Sequence, residues 1–162
     1  MRALKVNARQ LQEWEDAMPG LSLRTDWQAK VIVNNFTSIG MTPARASEYR
    51  EAGFHALHNQ DAVTILHIGG VPPTYVQGAM TGTEVVFTED LVLLYKSGVP
   101  REDAFGHGYS AHVFLDLHAK GVPTSYIAQL ARAGFQPRDV LFSWTNGLAP
   151  EYAVAFHETG IS

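Results

Sequence analysis

Apolar positions along this chain fall in short blocks, and each block is closed by a glycine. Three blocks are apolar almost throughout: Val63-Thr64-Ile65-Leu66-His67-Ile68, Leu91-Val92-Leu93-Leu94-Tyr95 and Val113-Phe114-Leu115-Asp116-Leu117. Taken alone, such runs fit buried strands as well as helices. Their flanks decide the matter. A capping type of residue precedes each (Asp61, Asp90 and Ser110), and a Gly-Val-Pro turn follows each. Capping side chains before the block and glycine after it are helix start and stop signals.

The glycines also set a register. Gly40, Gly70, Gly98, Gly121 and Gly147 open similar segments at intervals of 30, 28, 23 and 26 residues. The next position is apolar in all five: Met41, Val71, Val99, Val122 and Leu148. So is the sixth: Ala46, Val76, Ala104, Ile127 and Ala153. The fifth is tyrosine in three segments, Tyr75, Tyr126 and Tyr152. A second glycine follows thirteen residues later at Gly53, Gly134 and Gly160, each with a large apolar neighbour, Phe54, Phe135 or Ile161.

Proline after a turn suits a first helical position, and glycine after a last turn suits a left-handed cap. Residues 43–52, 123–133 and 150–159 therefore read as one set of helices. A second set, started by Asp26, Asp61, Asp90, Ser110 and Asp139, lies between them. Asn7 caps a further helix through Met18, ended by Pro19-Gly20, and the Asp26 helix runs through Ser38. The expectation is an all-α single domain of about eleven short helices over residues 1–162, stacked as helix-turn-helix pairs in an α-solenoid-like array. Residues 1–39 form an N-terminal pair and 40–162 five repeat units. Helices this short are not stable alone in water, so stability must come from neighbours. The pattern breaks within Gly78–Glu89 and Pro100–Ser110, where Gly78-Ala79-Met80-Thr81-Gly82-Thr83 and Gly106-His107-Gly108 predict loops or irregular helix.

The segment Gly121-Val122-Pro123-Thr124-Ser125-Tyr126-Ile127-Ala128-Gln129-Leu130-Ala131-Arg132-Ala133-Gly134-Phe135 resembles short tandem α-helical repeats of bacterial proteins, of the form G-V-x-P-x-Y-h-x-x-L-x-x-x-G-h followed by D-h-h-x-h. The resemblance covers residues 36–162 and implies an interaction or scaffold role, with no catalytic residues to carry over. Residues 39–54, from Ile39-Gly40-Met41-Thr42-Pro43 to Ala52-Gly53-Phe54, are also similar to the helix-hairpin-helix of DNA repair and recombination proteins. That family presents backbone amides of a G-h-G turn to a phosphate. Here Thr42 holds the place of the second glycine, and Pro72, Pro100, Pro123 and Ala149 hold it in the other segments. Proline has no amide hydrogen to donate. Under that alternative, Lys30, Arg45 and Arg50 would be the contacts.

Composition narrows the function. The chain of 162 residues has 12 basic against 16 acidic side chains, with no basic run, which argues against phosphate neutralisation. It has no cysteine, which excludes disulfides, thiolate nucleophiles and cysteine-held metals. No apolar run approaches the roughly 20 residues of a membrane span. The sequence Met1-Arg2-Ala3-Leu4-Lys5-Val6 lacks a signal-peptide core, so no membrane and a cytoplasmic location are expected.

Candidate chemistry is sparse. His107, His112 and Asp116 lie close in sequence, and His112 and Asp116 share a helix face at i, i+4, a weak metal-binding pattern without a signature motif. No cofactor motif occurs. Residues 55–120 carry seven acidic against three basic side chains. Glu84, Glu89, Glu102 and Asp103 fall in the stretches that break the pattern, as do His107 and Tyr109, and Asp90 directly follows the first. These seven are the predicted partner-binding residues. The sequence reading is a non-enzymatic protein-binding module, an adaptor or small inhibitor, with a helix-hairpin-helix nucleic-acid binder and a histidine-metal enzyme as alternatives.

Overall fold

A computed structural model of the chain describes residues 6–79 and 87–159, apart from the side chain of Glu158. The described residues are all-α, with eleven α-helices, one 3-10 turn and no strand. Gly160, Ile161, Glu84 and most of the expected loop at 78–83 lie outside the described residues.

The helices gather into two compact units, residues 1–83 and 84–162. The first holds α1 (Ala8–Ala17), the 3-10 turn Leu21–Leu23, α2 (Asp26–Ser38), α3 (Pro43–Glu51), α4 (Gln60–Ile68) and α5 (Pro73–Val76). The second holds α6 (Thr88–Lys96), α7 (Arg101–Ala104), α8 (Ala111–Ala119), α9 (Thr124–Arg132), α10 (Pro137–Thr145) and α11 (Pro150–Glu158). No described helix is long and apolar enough to cross a membrane.

Helix starts follow local hydrogen bonding, and this corrects four predicted caps. Asn7 and Ser110 do cap α1 and α8 through their side chains. Asp26 does not cap α2; Thr25 does, in a reciprocal capping box with Gln28. Asp61, Asp90 and Asp139 sit inside the first turns of α4, α6 and α10, behind Asn59, Phe87 and Gln136. An aspartate in the first turn complements the helix dipole without occupying the cap.

Helix ends share one construction. In α2, α3, α4, α6, α8, α9 and α10 the glycine after the last turn adopts a left-handed φ between 68° and 99°. Its N–H bonds to the carbonyl three residues back, and the N–H of the following residue bonds to the carbonyl five back. In α8 these are Gly121 to His118 (2.9 Å) and Val122 to Leu117 (3.2 Å). This is the Schellman motif, and it satisfies carbonyls a helix end otherwise leaves open. After five of these glycines the next residue turns into the core, Met41, Phe54, Val71, Val99 and Val122, whereas Phe135 is half-buried and Leu148 is exposed. The sixth positions Ala46, Val76, Ala104, Ile127 and Ala153 are buried as well. The segments opened by Gly70 and Gly98 give only four-residue helices, α5 and α7.

Side chains tie each unit across its helices. In the first unit Trp14 of α1 stacks on Phe36 of α2 at 5.7 Å. Tyr49 of α3 donates to the Val71 carbonyl at 2.6 Å, and the Arg50 guanidinium closes the end of α1 at the Asp16 carbonyl (2.8 Å). His67 Nε2 lies 3.2 Å from the Ile39 carbonyl, the hydrogen-bonded role expected for a histidine in an apolar helix. In the second unit α9 packs against α7, α8, α10 and α11. Tyr126 of α9 is buried and donates to the Leu148 carbonyl at 3.0 Å. Tyr75 is buried too, whereas Tyr152 is 68% exposed, so the three registered tyrosines do not share one environment.

At Gly121 an added Cβ would meet no atom within 4 Å, so only the backbone conformation demands glycine there. Gly121→Ala is expected to cost about 1 kcal/mol, with Gly121→Asn milder and Gly121→Val worse. Urea unfolding checks this as a shifted midpoint at constant slope. Glu15 supplies a pH-dependent counterpart. Its carboxylate accepts the Gly20 and Ser22 amides (2.9 and 2.6 Å), and these bonds hold its pKa below the ordinary 4.5. The stabilisation is complete above that value and is lost as pH falls through the depressed folded pKa. Glu15→Gln is expected to lower the melting temperature at neutral pH, and the gap to the parent protein to close on acidification.

Candidate functional site

The second unit contains a half-open cleft of about 580 Å³. It is lined by Phe87, Glu89 and Asp90 at the start of α6 and by Leu94 in its last turn. Ala104 and Phe105 at the end of α7 and Ser110, Ala111 and His112 at the start of α8 line it as well. The loop His107-Gly108-Tyr109 completes it.

The loop is shaped by two left-handed glycines, Gly106 (φ 73°) and Gly108 (φ 77°), on either side of His107. They turn His107 inward. Its ring is 6% exposed and stacks on Phe114 with centroids 4.8 Å apart. Nδ1 accepts the Tyr109 amide at 3.0 Å. Tyr109 reaches the other way, and its hydroxyl donates to the Phe135 carbonyl after α9. Burial, with a smaller push from Asp139, raises its phenol to about 12. Tyr109 is therefore a neutral strut rather than a base. Below the loop, Arg132 donates to the carbonyls of Glu102 and Phe105, and Thr124 Oγ1 donates to Asp103 at 2.7 Å. These bonds fasten α7 to α9.

The predicted partner-binding residues thus divide. Glu89, Asp90, His107 and Tyr109 meet at the cleft. Asp103 is buried against Thr124 and Glu102 is exposed on α7, neither lining the cleft. Glu84 lies outside the described residues. Phe87 and Phe105 were missed from sequence. Phe87 is 64% exposed and stands at an N-cap with no capping side-chain bond, a place ordinarily held by Ser, Thr, Asp or Asn. An apolar residue at that position was the available signal.

The weaker candidates are dispersed. Asp116 pairs with Lys120 at 2.6 Å, not with His112. His112 instead lies 3.8 Å from Asp90 Oδ1, and Ser110 Oγ is taken up capping α8. Among the described residues no group of three or more His, Asp or Glu side chains is placed to hold a metal ion. The three predicted phosphate contacts are each engaged at home: Lys30 with Asp26 (2.7 Å), Arg45 with Glu48 (2.8 Å) and Arg50 with the end of α1. Thr42 caps α3 through its side chain.

No protein-family model matches the chain, and neither a curated protein nor a solved structure is significantly similar to it.

Tyr109→Phe keeps the ring and deletes the bond to Phe135. It is expected to cost about 1 kcal/mol. In a spectrophotometric alkaline titration it should also remove one of the phenols that ionise near 12.

Proposed function

We propose that this protein is a non-enzymatic, cytoplasmic protein-binding module built from tandem helix pairs, and that the α6–α8 cleft is its partner-binding face. The observation that carries this reading is the cleft itself. It forms where the regular helix spacing fails, around the four-residue α7 and the loop that follows it. Departures of this kind in helical arrays are where binding surfaces are grafted. Its walls combine an exposed phenylalanine with two carboxylates, and aromatic side chains are enriched at the centres of protein interfaces. The acidic balance and the internal engagement of Lys30, Arg45 and Arg50 speak against the phosphate-binding alternative.

A photo-crosslinking residue placed at Phe87, with Gln129 on the exposed side of α9 as control, tests the proposal in the source cells. A discrete protein adduct is expected from position 87 and not from 129. The captured protein, once purified, should bind the parent chain at least about tenfold more tightly than the Glu89→Gln/Asp90→Asn variant. Absence of an adduct at 87, or an adduct that nuclease removes, would overturn the reading.

A further inference from the structure

We propose that the α6–α8 cleft takes an arginine side chain from a basic segment of the partner protein; the claim rests on the interaction reading above. Charge complementarity is the first reason. Among the described residues the cleft is lined by Glu89 and Asp90 and by no lysine or arginine. The Asp90 side chain is only 16% exposed, and its carboxylate stands 3.8 Å from His112 Nε2, an ion pair only when that imidazole is protonated and too long for a direct hydrogen bond. A partly shielded carboxylate gains more from a cation than one in open water, because the local dielectric is lower.

The walls choose among cations. Phe87 and Phe105 offer aromatic surface, and Leu94 and Ala104 offer aliphatic surface. An occupant must therefore bring an apolar stem as well as a charge. Lysine and arginine both do. A guanidinium is planar, more weakly hydrated than an ammonium and able to stack on rings while bonding a carboxylate in two places. A compact ammonium would give up more hydration in the same position. The volume of about 580 Å³ lies in the range of built ligand sites and leaves room for residues flanking the arginine.

His112 does not stand in the way. Its side chain is 78% exposed at the rim and can turn into solvent. The floor is fixed, because His107 is stacked on Phe114 and Tyr109 is bonded to the Phe135 carbonyl. An incoming side chain thus meets a preformed surface, which lowers the ordering cost of binding.

The test is an amide-detected NMR titration of the full chain with Nα-acetyl-arginine amide, run beside the lysine and norleucine counterparts. Saturable shifts are expected at Leu94 and across Ala104–Tyr109, tighter for arginine than for lysine. The norleucine compound should not saturate in the same range. Asp90→Asn should weaken the arginine compound about tenfold, the loss of one charge-assisted pair. The dispersion of its own spectrum reports that it is folded, and the exposed Glu89→Gln gives a second, milder loss. Equal binding of norleucine, shifts spread over carboxylates elsewhere in the chain, or an undiminished Asp90→Asn would overturn the proposal. A protein adduct at position 87 without arginine binding would reject this inference alone. Arginine binding without any adduct would reject the interaction reading and leave a site for a small guanidinium compound.

Discussion

The left-handed glycine that closes seven of the eleven described helices is the constraint on which the described structure rests. Helices of nine residues cannot hold themselves together, and their last carbonyls are left without partners. One glycine with positive φ answers both problems. It directs two amides back onto those carbonyls and, in five of the seven cases, aims the next side chain into the core. Proline or a capping residue then starts a new helix within two or three positions in α3, α5 and α11, where Thr42-Pro43, Pro72-Pro73 and Ala149-Pro150 follow the turn. Much of the remaining architecture consists of side chains that serve carbonyls exposed by these turns. Tyr49 serves Val71, Tyr126 serves Leu148, Tyr109 serves Phe135, and His118 Nδ1 lies 3.1 Å from the carbonyl of Val122.

The cleft appears where this economy is interrupted. The segment opened by Gly98 yields one helical turn rather than a full helix, and the chain then spends Phe105–Tyr109 in a loop before α8 begins. A missing stretch of helix leaves space between α6 and α8. That space keeps its shape because α7 is held from below by Arg132 and Thr124. Beside it Phe87 is exposed and Asp90 is half-sheltered.

The helices were legible in the sequence because their signals are local. Gly-x-Pro spacing and the apolar sixth position report backbone conformation and burial directly, and the structure places those residues accordingly. Cap identity was less legible. Asp26 and Asp139 are good first-turn residues, yet the cap belongs to Thr25 in one case and falls at Gln136, ahead of Pro137, in the other. The site was only half legible. Charge counts placed Glu89, Asp90, Glu102 and Asp103 together, but which face a carboxylate occupies depends on packing. Asp103 turns inward to Thr124 while Asp90 borders the cleft. The i, i+4 spacing of His112 and Asp116 has a competitor: Lys120 lies four residues beyond Asp116 and takes it. Phe105 could not be assigned from spacing, since it owes its position to the end of α7.

The reach of the long side-chain bonds bears on how the chain folds. From Thr124–Asp103 to Arg50–Asp16, they join residues 21 to 34 positions apart. Loop-closure cost rises by only about 0.6 kcal/mol for each doubling of length, so these closures are nearly equal in entropy. No single tie is singled out as the slow step on that account. Contacts of modest, uniform sequence separation favour rapid collapse. Each unit can therefore begin to assemble at whichever of its helix pairs meets first, and an amino-terminal pair can dock while later helices are still being synthesised.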